Sequence, residues 1–417
     1  MSTKKAHAIR LTYSIIHSPI RYPNLLSPEQ AYILAHLTTD VRTLLLNPPA
    51  TPTLDYWLVA RQIQARQKAR EKLPNWYAHP KLTFPAALSV EQASSEQTAA
   101  YKASLVSGAL LVDLTGGMGV DAAAFAERVD RVIYVERNAE LAQLTAHNLR
   151  ALRHDNIDFI AGDGLDQLAR LPTPADWVYL DPARRDEQGG RVVQLADCEP
   201  DVVQNLPALL AKSHRLLIKT APLLDIDATL RQLPTTQAVH VVAVQGEVKE
   251  TLFVLGRQPV PPADVQMVAV NLRDNSPDNQ LFIYRRGDES VAPVALSDPL
   301  TYLYEPNAAI LKAGAFRLVG HRFGLAKLAP HSHLYTSHAL VADFPGRTFR
   351  VAAICKPDRA ELRRHLPGLQ ANLTVRNFPE TVARLRQKLT LREGGHTYIF
   401  ATTFANNDKR LLVTYKS

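Results

Sequence analysis

The sequence predicts an α/β fold, in which a Rossmann-like, mostly parallel sheet follows a helical N-terminal region and precedes a C-terminal α+β domain. Seven short apolar segments after residue 108 predict the sheet, and helical stretches separate most of them. Such alternation is typical of parallel strands covered by helices on both faces. The last two segments, VHVVAV and ETLFVLG, are joined only by QGEVK. Because this connection is too short for a helical crossover, we expect the last strand to be antiparallel to its neighbour.

Three helices are predicted before the sheet. They cover residues 28–47, 54–73 and 89–106, where apolar residues recur at helical spacing. The second helix carries a basic surface, which is either a solvated helix face or a contact for a polyanion such as RNA. Its basic residues are Arg61, Lys68, Arg70 and Lys72.

A proline-rich segment at residues 257–265, RQPVPPADV, predicts a domain boundary after the sheet. Beyond it, VQMVAVNL and LFIYRR are predicted strands, and EPNAAILKAGAFRLVG is a predicted helix. Residues 348–416 are predicted to form strand, helix, strand, helix, strand and strand. The predicted domains are a helical region at 1–107, the sheet domain at 108–257 and the α+β domain at 258–417.

Composition excludes several classes of protein. Of the 417 residues, 46% are apolar and 21% are charged, as in globular proteins. No apolar run approaches the roughly 20 residues that span a bilayer, and the N-terminus lacks the apolar core of a signal peptide. The two cysteines, Cys198 and Cys355, cannot build a disulfide framework or a cysteine-ligated zinc site. We therefore expect a cytoplasmic protein without a membrane span. The sequence leaves the oligomeric state open.

The net charge of +8 is distributed unevenly. Residues 1–110 carry a net +6, residues 111–259 carry −6, and residues 260–417 carry +8. Two basic flanks around an acidic centre are expected if the flanks hold a polyanion and the centre holds another ligand. Surface lysines and arginines that only keep the protein soluble would give the same totals. Charge alone does not separate these two interpretations.

A glycine-rich turn follows the first strand of the sheet. The segment LLVDL ends in Asp113, and a helix is predicted to begin near Asp121. Glycines between them would let the backbone approach a ligand closely. Because Asp113 at the strand tip would repel an anion, a cationic sulfonium or an amine suits this turn better than a pyrophosphate. The predicted ligand contacts in the turn are Thr115, Gly116, Gly117 and Gly119, together with Asp113 and Asp121.

Acidic residues also follow the next two predicted strands. Glu136 lies 23 residues after Asp113, close to the spacing at which an acid accepts the ribose hydroxyls of a nucleoside. Asp163 is placed where it could accept from an adenine amino group. Ligands of open α/β sheets bind at the carboxyl ends of the strands, so three acids at this edge favour a nucleoside site. We include the neighbouring residues Arg137 and Gly164 in this predicted site.

The fourth predicted strand ends in Asp181-Pro182-Ala183-Arg184 at the same edge. Proline fixes its own φ, and the segment can direct a carboxylate and backbone carbonyls into the site as acceptors for an amine. An ordinary Asp-Pro turn is the structural alternative. We predict Asp181, Pro182 and Arg184 as the catalytic residues.

These motifs together resemble those of class I S-adenosylmethionine-dependent methyltransferases, whose sheet has seven strands with a reversed last strand. The Asp113–Gly119 turn resembles motif I, Glu136 the ribose-binding acid, Asp163 the adenine-side acid and Asp181-Pro-Ala-Arg the fourth motif. From about residue 80 to the end, the chain is similar to bacterial members that carry a C-terminal THUMP-like domain. The matching blocks are QASSEQTAAYKA, DLTGGMGVD, YLDPARR, HSHLYTS, VRNFP and GGHTYIFATT.

The resemblance implies an enzyme that uses S-adenosyl-L-methionine and acts on RNA, which the basic N-terminal helix and the C-terminal domain would bind. It also implies that the segment containing Ser94, Ser95, Thr98 and Lys102 lies over the cofactor, and we include Thr98 and Lys102 in the predicted cofactor site. An ordinary helix cap would explain this segment equally well.

Two departures from related enzymes bear on the acceptor atom. Ala183 and Arg184 replace the proline and the stacking aromatic residue that are usual in amino-directed methyltransferases. The fifth strand ends in Ile218-Lys219-Thr220-Ala221-Pro222, without the cysteine that uridine C5-methyltransferases need. Nitrogen or oxygen methylation is therefore favoured over carbon methylation, and base stacking would have to use the Arg184 guanidinium.

Three other functions remain as alternatives. They are methylation of a small molecule or a protein, RNA binding with a vestigial cofactor pocket, and NAD-dependent oxidation through Gly117-x-Gly119-x-x-Ala122. Asp113 and the reversed last strand disfavour the oxidoreductase. We predict no metal site, because the residues His331, His333 and His338 have no cysteine or carboxylate cluster near them in the sequence and suit surface or RNA-phosphate contacts better.

Overall fold

The computed structural model describes residues 28–46, 54–184, 194–273 and 279–417. The described residues divide into two compact units: those up to residue 220 together with 254–258 form the first, and those within 221–253 and 259–417 form the second. Within the described ranges, no helix is both long and apolar enough to cross a membrane.

The N-terminal region of the first unit is helical, as predicted, but two of its three predicted helices are each divided. The 28–47 prediction is wrong as a single helix, because the carboxylate of Asp40 accepts the N–H of Arg42 and the hydroxyl of Thr43 and so starts a new helix. The 89–106 prediction is divided where Ser95 caps a helix by accepting the N–H of Thr98. The helices are α1 (Pro28–Ala35), α2 (Val41–Leu46), α3 (Tyr56–Ala69), α4 (Pro74–Ala78), α5 (Ala87–Gln92) and α6 (Glu96–Ala103).

A parallel sheet forms the rest of the first unit, and its middle strands are buried because helices cover them. Its order is β7-β4-β1-β2-β3. A short antiparallel ribbon, β5 with β6, follows β4. The strands are β1 (Gly108–Asp113), β2 (Val129–Glu136), β3 (Ile157–Ala161), β4 (Ala175–Leu180), β5 (Ala183–Arg184), β6 (Cys198–Glu199) and β7 (Ser213–Thr220). The helices between them are α7 (Val120–Ala126), α8 (Ala139–Ala151), α9 (Gly164–Ala169) and α10 (Val202–Ala211).

The second unit begins with helix α11 and four strands in the order β11-β10-β8-β9. Strands β8 and β9 are neighbours joined only by Gln245 and Gly246, both with positive φ, so they form a hairpin and the predicted reversed strand is confirmed. Strand β10 pairs in parallel with β8, although the proline-rich segment lies between them in sequence. The predicted boundary at residue 257 stays a prediction. The elements are α11 (Ile226–Gln232), β8 (Thr236–Val244), β9 (Glu247–Leu255), β10 (Gln266–Leu272) and β11 (Gln280–Arg285).

A second sheet, in the order β13-β14-β12-β15-β18-β17-β16, forms the C-terminal part. The predicted succession of elements in 348–416 is confirmed. The helix predicted at 305–320 is two helices, because Gly314 ends the first in a left-handed conformation with φ of 82°. The strands are β12 (Tyr302–Pro306), β13 (Ala326–Lys327), β14 (Tyr335–Ser337), β15 (Gly346–Cys355), β16 (Asn372–Arg376), β17 (Thr397–Thr403) and β18 (Lys409–Lys416). The helices are α12 (Arg286–Val291), α13 (Ala308–Ala313), α14 (Leu318–Arg322), α15 (Arg359–His365) and α16 (Val382–Leu389).

Candidate functional site

Four acidic residues lie at the carboxyl edge of the parallel sheet in the first unit. Asp113 and Glu136 are the last residues of β1 and β2, and Asp181 directly follows β4. Asp163 caps the helix that follows β3. Parallel pairing brings these strand ends to one edge, where ligands of open α/β sheets bind.

The glycine turn after β1 packs directly against β2 and α8. A Cβ atom on Gly116 would lie 2.1 Å from the ring of Tyr134, and one on Gly119 would lie 2.5 Å from Thr145. The hydroxyls of Tyr134 and Thr145 both donate to the carbonyl of Gly117, at 2.6 and 3.0 Å. Because no side chain fits at Gly116 or Gly119, the bare backbone forms the surface of the turn at these two positions.

Asp113 is buried and only partly satisfied. Its Oδ1 accepts the N–H of Thr115 at 3.0 Å, whereas Oδ2 is buried without a hydrogen-bond partner among the described residues. Burial raises the pKa of Asp113 well above its usual value, and the nearby Asp121, Asp181 and Glu136 raise it further. A buried acceptor oxygen without a donor suits a ligand that brings a positive charge or an N–H group.

Glu136 accepts two backbone hydrogen bonds. Its Oε2 accepts the N–H of Gly117 at 2.8 Å, and its Oε1 accepts the N–H of Asn138 at 2.7 Å. The side chain is partly exposed. Each carboxylate oxygen has about two acceptor positions, so both oxygens can still accept a hydroxyl. Two such free positions on one fixed carboxylate suit the paired hydroxyls of a ribose.

Asp163 combines a helix cap with an ion pair. Its Oδ1 accepts the N–H groups of Leu165 and Asp166, and its Oδ2 pairs with Arg137 at 2.9 Å. Although burial opposes it, these donors lower the pKa of Asp163. Arg137 also pairs with Glu199 at 2.7 Å, so it joins the end of β2 to the ribbon after β4.

The close approach of Gly164 explains why a glycine follows Asp163. A Cβ atom there would lie 2.5 Å from the carbonyl oxygen of Leu114. This contact brings the turn after β3 against the end of β1, so Asp163 lies beside the glycine turn.

A buried polar network ties the segment before β1 to the glycine turn. The Lys102 ammonium is fully buried and lies 3.2 Å from Asp121 Oδ1 and 3.1 Å from Ser94 Oγ. The hydroxyls of Ser94 and Tyr179 both donate to Asp121 Oδ2 at 2.8 Å. Burial acts to raise the pKa of Asp121, but Lys102, Lys219 and these hydroxyls outweigh it and the pKa is lowered. The network fixes the start of α7.

Two predicted cofactor contacts, Thr98 and Lys102, are buried and have partners within the protein. The Thr98 hydroxyl accepts the N–H of Ser95 at 3.1 Å in the cap of α6, and Lys102 belongs to the network around Asp121. A direct contact of either residue with a ligand stays a prediction.

Asp181 is held at the end of β4 by two neighbours. Its N–H donates to Thr115 Oγ1 at 2.7 Å, and its Oδ2 pairs with the Lys219 ammonium. Pro182 follows at the edge, and Arg184 lies in β5 opposite Cys198. The sequence analysis does not predict this contact, because it includes Lys219 only in a segment that lacks a cysteine. A lysine at the end of the strand next to Asp181 was the signal that could have found this pair.

The three histidines lie in the second unit. His331 and His338 are exposed, whereas the ring of His333 stacks on Phe316 with centroids 3.8 Å apart. Burial, together with Lys327, His331 and Arg376, lowers the pKa of His333 to about 4. In the part of the chain that the structure describes, no group of three or more His, Cys, Asp or Glu side chains is placed to hold a metal ion.

Family models match three parts of the chain. Residues 302–345 match a ferredoxin-like domain, and residues 346–416 match a THUMP domain-like model. Residues 77–186, which contain most of the site described above, match the protein-L-isoaspartate (D-aspartate) O-methyltransferase model.

Relatives that this chain matches over most of their length agree with these matches. The crystal structure of a candidate methyltransferase from Porphyromonas gingivalis W83 is 36% identical in sequence, with a TM-score of 0.83, and the match covers 93% of this chain and 97% of that one. Two uncharacterized S-adenosylmethionine-dependent methyltransferases from Mycobacterium tuberculosis, strains CDC 1551 and H37Rv, are each 26% identical over 346 residues, covering 81% of this chain and 89% of theirs. With the acids and the glycine turn at the sheet edge, these similarities identify the chain as a member of the S-adenosylmethionine-dependent methyltransferases with a C-terminal THUMP-like domain.

Proposed function

We propose that this S-adenosylmethionine-dependent methyltransferase is a cytoplasmic enzyme that methylates RNA at a nitrogen or oxygen atom. The main support for an RNA substrate is the THUMP domain-like match at residues 346–416. This match lies within residues 260–417, which carry a net charge of +8. Polyanions bind to such concentrations of positive charge.

The residues at the sheet edge fit the cofactor. When bound, S-adenosylmethionine supplies an electrophilic methyl group on a sulfonium. Glu136 would accept the ribose hydroxyls with the lone pairs that Gly117 and Asn138 leave free. Asp163 would accept from the adenine amino group, with Arg137 and Gly164 shaping that side. The unpartnered oxygen of Asp113 would face the cationic end of the cofactor.

The glycine turn completes the proposed cofactor site. Its members are Thr115, Gly116, Gly117 and Gly119, and Asp121 anchors the helix that follows them. Because this turn is already fixed against β2 and α8, its residues should lose little conformational entropy when the cofactor binds.

Asp181 is the proposed contact for the methyl acceptor. A carboxylate and the carbonyls beside Pro182 only accept hydrogen bonds, so they can hold an amino or hydroxyl hydrogen and direct the lone pair of that atom. Asp181 would also receive the proton that the acceptor loses. Arg184 stays in the proposed acceptor site on the basis of its position after Pro182.

Two arginines in the second unit support the proposed RNA contact. The buried carboxylate of Glu305 accepts hydrogen bonds from Arg347 and Arg376, whose side chains are 45% and 39% exposed. We call these two residues the Glu305 arginine pair. Among the described residues, no acceptor is placed on Nη1 of either arginine. Because one carboxylate fixes both guanidinium groups close together, they can bind a phosphate with little loss of side-chain entropy.

The basic N-terminal helix supports RNA binding less strongly. Lys68 pairs with Glu91 at 2.8 Å, and Lys72 donates to the carbonyls of Val90 and Glu91. Arg61 and Arg70 are exposed. We therefore propose that this helix has a secondary part in RNA binding.

The match to the protein-L-isoaspartate O-methyltransferase model favours a protein carboxylate as a second candidate acceptor. That match ends at residue 186 and includes the cofactor residues of β1 to β3. It therefore covers the cofactor side of the site together with Asp181, but none of the second unit.

Mass spectrometry of nucleosides tests the proposed function. RNA from cells with and without the gene is digested, and the cells lacking it are complemented with the wild type or with Asp181→Ala. We expect one methylated nucleoside to disappear with the gene and to return only with the wild type. Identical nucleosides in all strains, with methyl esters lost from protein instead, would contradict the RNA substrate and support the protein one.

A further inference from the structure

Lys219 is the cross-strand neighbour of Asp181. Strands β4 and β7 pair in parallel with Leu180 opposite Ile218. The residues that follow these two in the chain, Asp181 and Lys219, therefore lie side by side. Lys219 Nζ and Asp181 Oδ2 form an ion pair. The side chain of Lys219 is 14% exposed, and that of Asp181 is 35% exposed. The lysine thus lies mostly beneath the edge, whereas the carboxylate remains accessible from it.

The contacts of Asp181 leave one oxygen available. Its backbone is fixed by Thr115, whose own N–H is fixed by Asp113, and Oδ2 is occupied by Lys219. Among the residues that the structure describes, no donor is placed on Oδ1. The carboxylate therefore presents a single oriented acceptor oxygen toward the edge where the cofactor residues lie.

We propose that Lys219 is the positioning residue that orients the Asp181 carboxylate for methyl transfer. This inference rests on the proposed role of Asp181 at the acceptor. A carboxylate rotates readily about its terminal torsion, which has broad, roughly two-fold preferences. By holding Oδ2, Lys219 prevents this rotation and keeps Oδ1 directed at the acceptor hydrogen. Misplacement of a reacting group by about 1 Å can slow a reaction about 100-fold, so loss of Lys219 should act mainly on turnover.

The affinity for the cofactor should not depend on Lys219. The ammonium also helps to lower the pKa of Asp121, but Lys102, Ser94 and Tyr179 contact Asp121 directly and remain in place. A positioning role therefore predicts unchanged cofactor affinity. A purely structural role predicts that stability, cofactor affinity and turnover fall together.

The test compares Lys219→Met, Lys219→Arg, Asp181→Asn and the double variant Lys219→Met/Asp181→Asn. Single-turnover transfer of labelled methyl from S-adenosylmethionine to total RNA from cells lacking the gene gives the rate, calorimetry gives cofactor affinity, and urea unfolding gives stability. We expect Lys219→Met to slow transfer by about 30-fold to 100-fold with cofactor affinity changed by less than about threefold. Lys219→Arg should recover most of the rate, because a guanidinium can also donate to Oδ2.

The double variant separates positioning from independent effects. If Lys219 acts through Asp181, the double variant should be no slower than the slower single variant. Lys212→Met is the matched control, because Lys212 directly precedes β7 at its opposite end and donates to the carbonyl of Leu171 at 2.7 Å. It should keep its rate within about twofold, since it lies away from the site edge.

Additive rate losses in the double variant would overturn the inference, as would a Lys219→Met protein whose cofactor affinity falls as much as its rate. If the wild type labels cell protein instead of RNA, the proposed RNA substrate fails. The same variants assayed on that protein would then support or overturn the role of Lys219 independently.

Discussion

Glu136 Oε2 accepts the backbone N–H of Gly117 at 2.8 Å. The acid that ends β2 is thereby fixed to the glycine turn that follows β1, although 19 residues separate them in sequence. One hydrogen bond thus joins the proposed ribose contact to the turn of the proposed cofactor site. A substitution that displaces one of them should therefore displace the other.

Glu136→Ala should weaken S-adenosylmethionine binding at least about tenfold, because hydrogen bonds to a charged group contribute roughly 1.5–3 kcal/mol each. Titration calorimetry measures the affinity. Asp176→Ala is the matched control, since Asp176 also accepts two backbone N–H groups, those of Ala109 and Leu110, but at the start of β1. Equal affinity loss in both variants would remove Glu136 from the cofactor site.

Asp113→Asn should reduce the loss of stability with rising pH. Burial raises the folded-state pKa of Asp113, so the folded protein binds its proton more tightly than the unfolded chain does. The contribution of this proton to stability is complete below the pKa of Asp113 in the unfolded chain, near 4. It is lost as the pH rises through the pKa of Asp113 in the folded protein. Urea unfolding of the ligand-free protein from pH 4.5 to 8 should show the variant gaining stability relative to the wild type. Parallel curves would contradict a raised pKa.

Asp181→Ala should lower turnover by about 100-fold or more while cofactor affinity changes by less than about threefold, because Asp181 is proposed to bind the acceptor and not the cofactor. Asp181→Asn keeps an acceptor oxygen and should be milder. Transfer of labelled methyl to RNA and calorimetry measure the two effects. A folded Asp181→Ala protein with near-normal turnover would leave Asp181 without a catalytic role.

Removal of the Glu305 arginine pair should lower the affinity for RNA and make that affinity less sensitive to salt. The triple variant Glu305→Gln/Arg347→Gln/Arg376→Gln removes both guanidinium groups without leaving a buried carboxylate unpaired. The slope of log affinity against log salt should become shallower by about 0.7 for each phosphate that the variant no longer binds. Fluorescence titration with a single-stranded oligoribonucleotide measures it. Arg131→Gln, in the first unit, serves as the control, and an equal change there would contradict the assignment.

Lys102→Met should destabilise the protein strongly, because the mostly buried carboxylate of Asp121 loses the ammonium that contacts it directly. Breaking a buried pair in this way costs roughly 3–5 kcal/mol. Lys68→Met is the matched control, since Lys68 and Glu91 are each about half exposed and such pairs contribute about 1 kcal/mol or less. Urea unfolding compares the two, and similar losses would show that the Lys102 pair contributes no more than a surface pair.

Local patterns were sufficient for the order of elements in the sheet. Strands β1 to β4 and the hairpin of β8 and β9 follow from apolar runs and from short connections, because these signals lie within a few residues of each other. Helix divisions were missed at Asp40 and Gly314, where a side-chain cap and a left-handed residue end a helix that the apolar spacing would continue.

Sequence alone also determined which acids meet at the site, because the carboxyl ends of parallel strands share one edge. Asp113, Glu136, Asp163 and Asp181 could therefore be placed together from the order of the strands. Only the tertiary structure decided which oxygens of these acids are already occupied. Lys219 lies 38 residues from Asp181, and their contact depends on the register between β4 and β7. Register is a property of the packed sheet, so the order of the strands can indicate that Lys219 and Asp181 are neighbours, but only the structure shows which oxygen of Asp181 the ammonium holds.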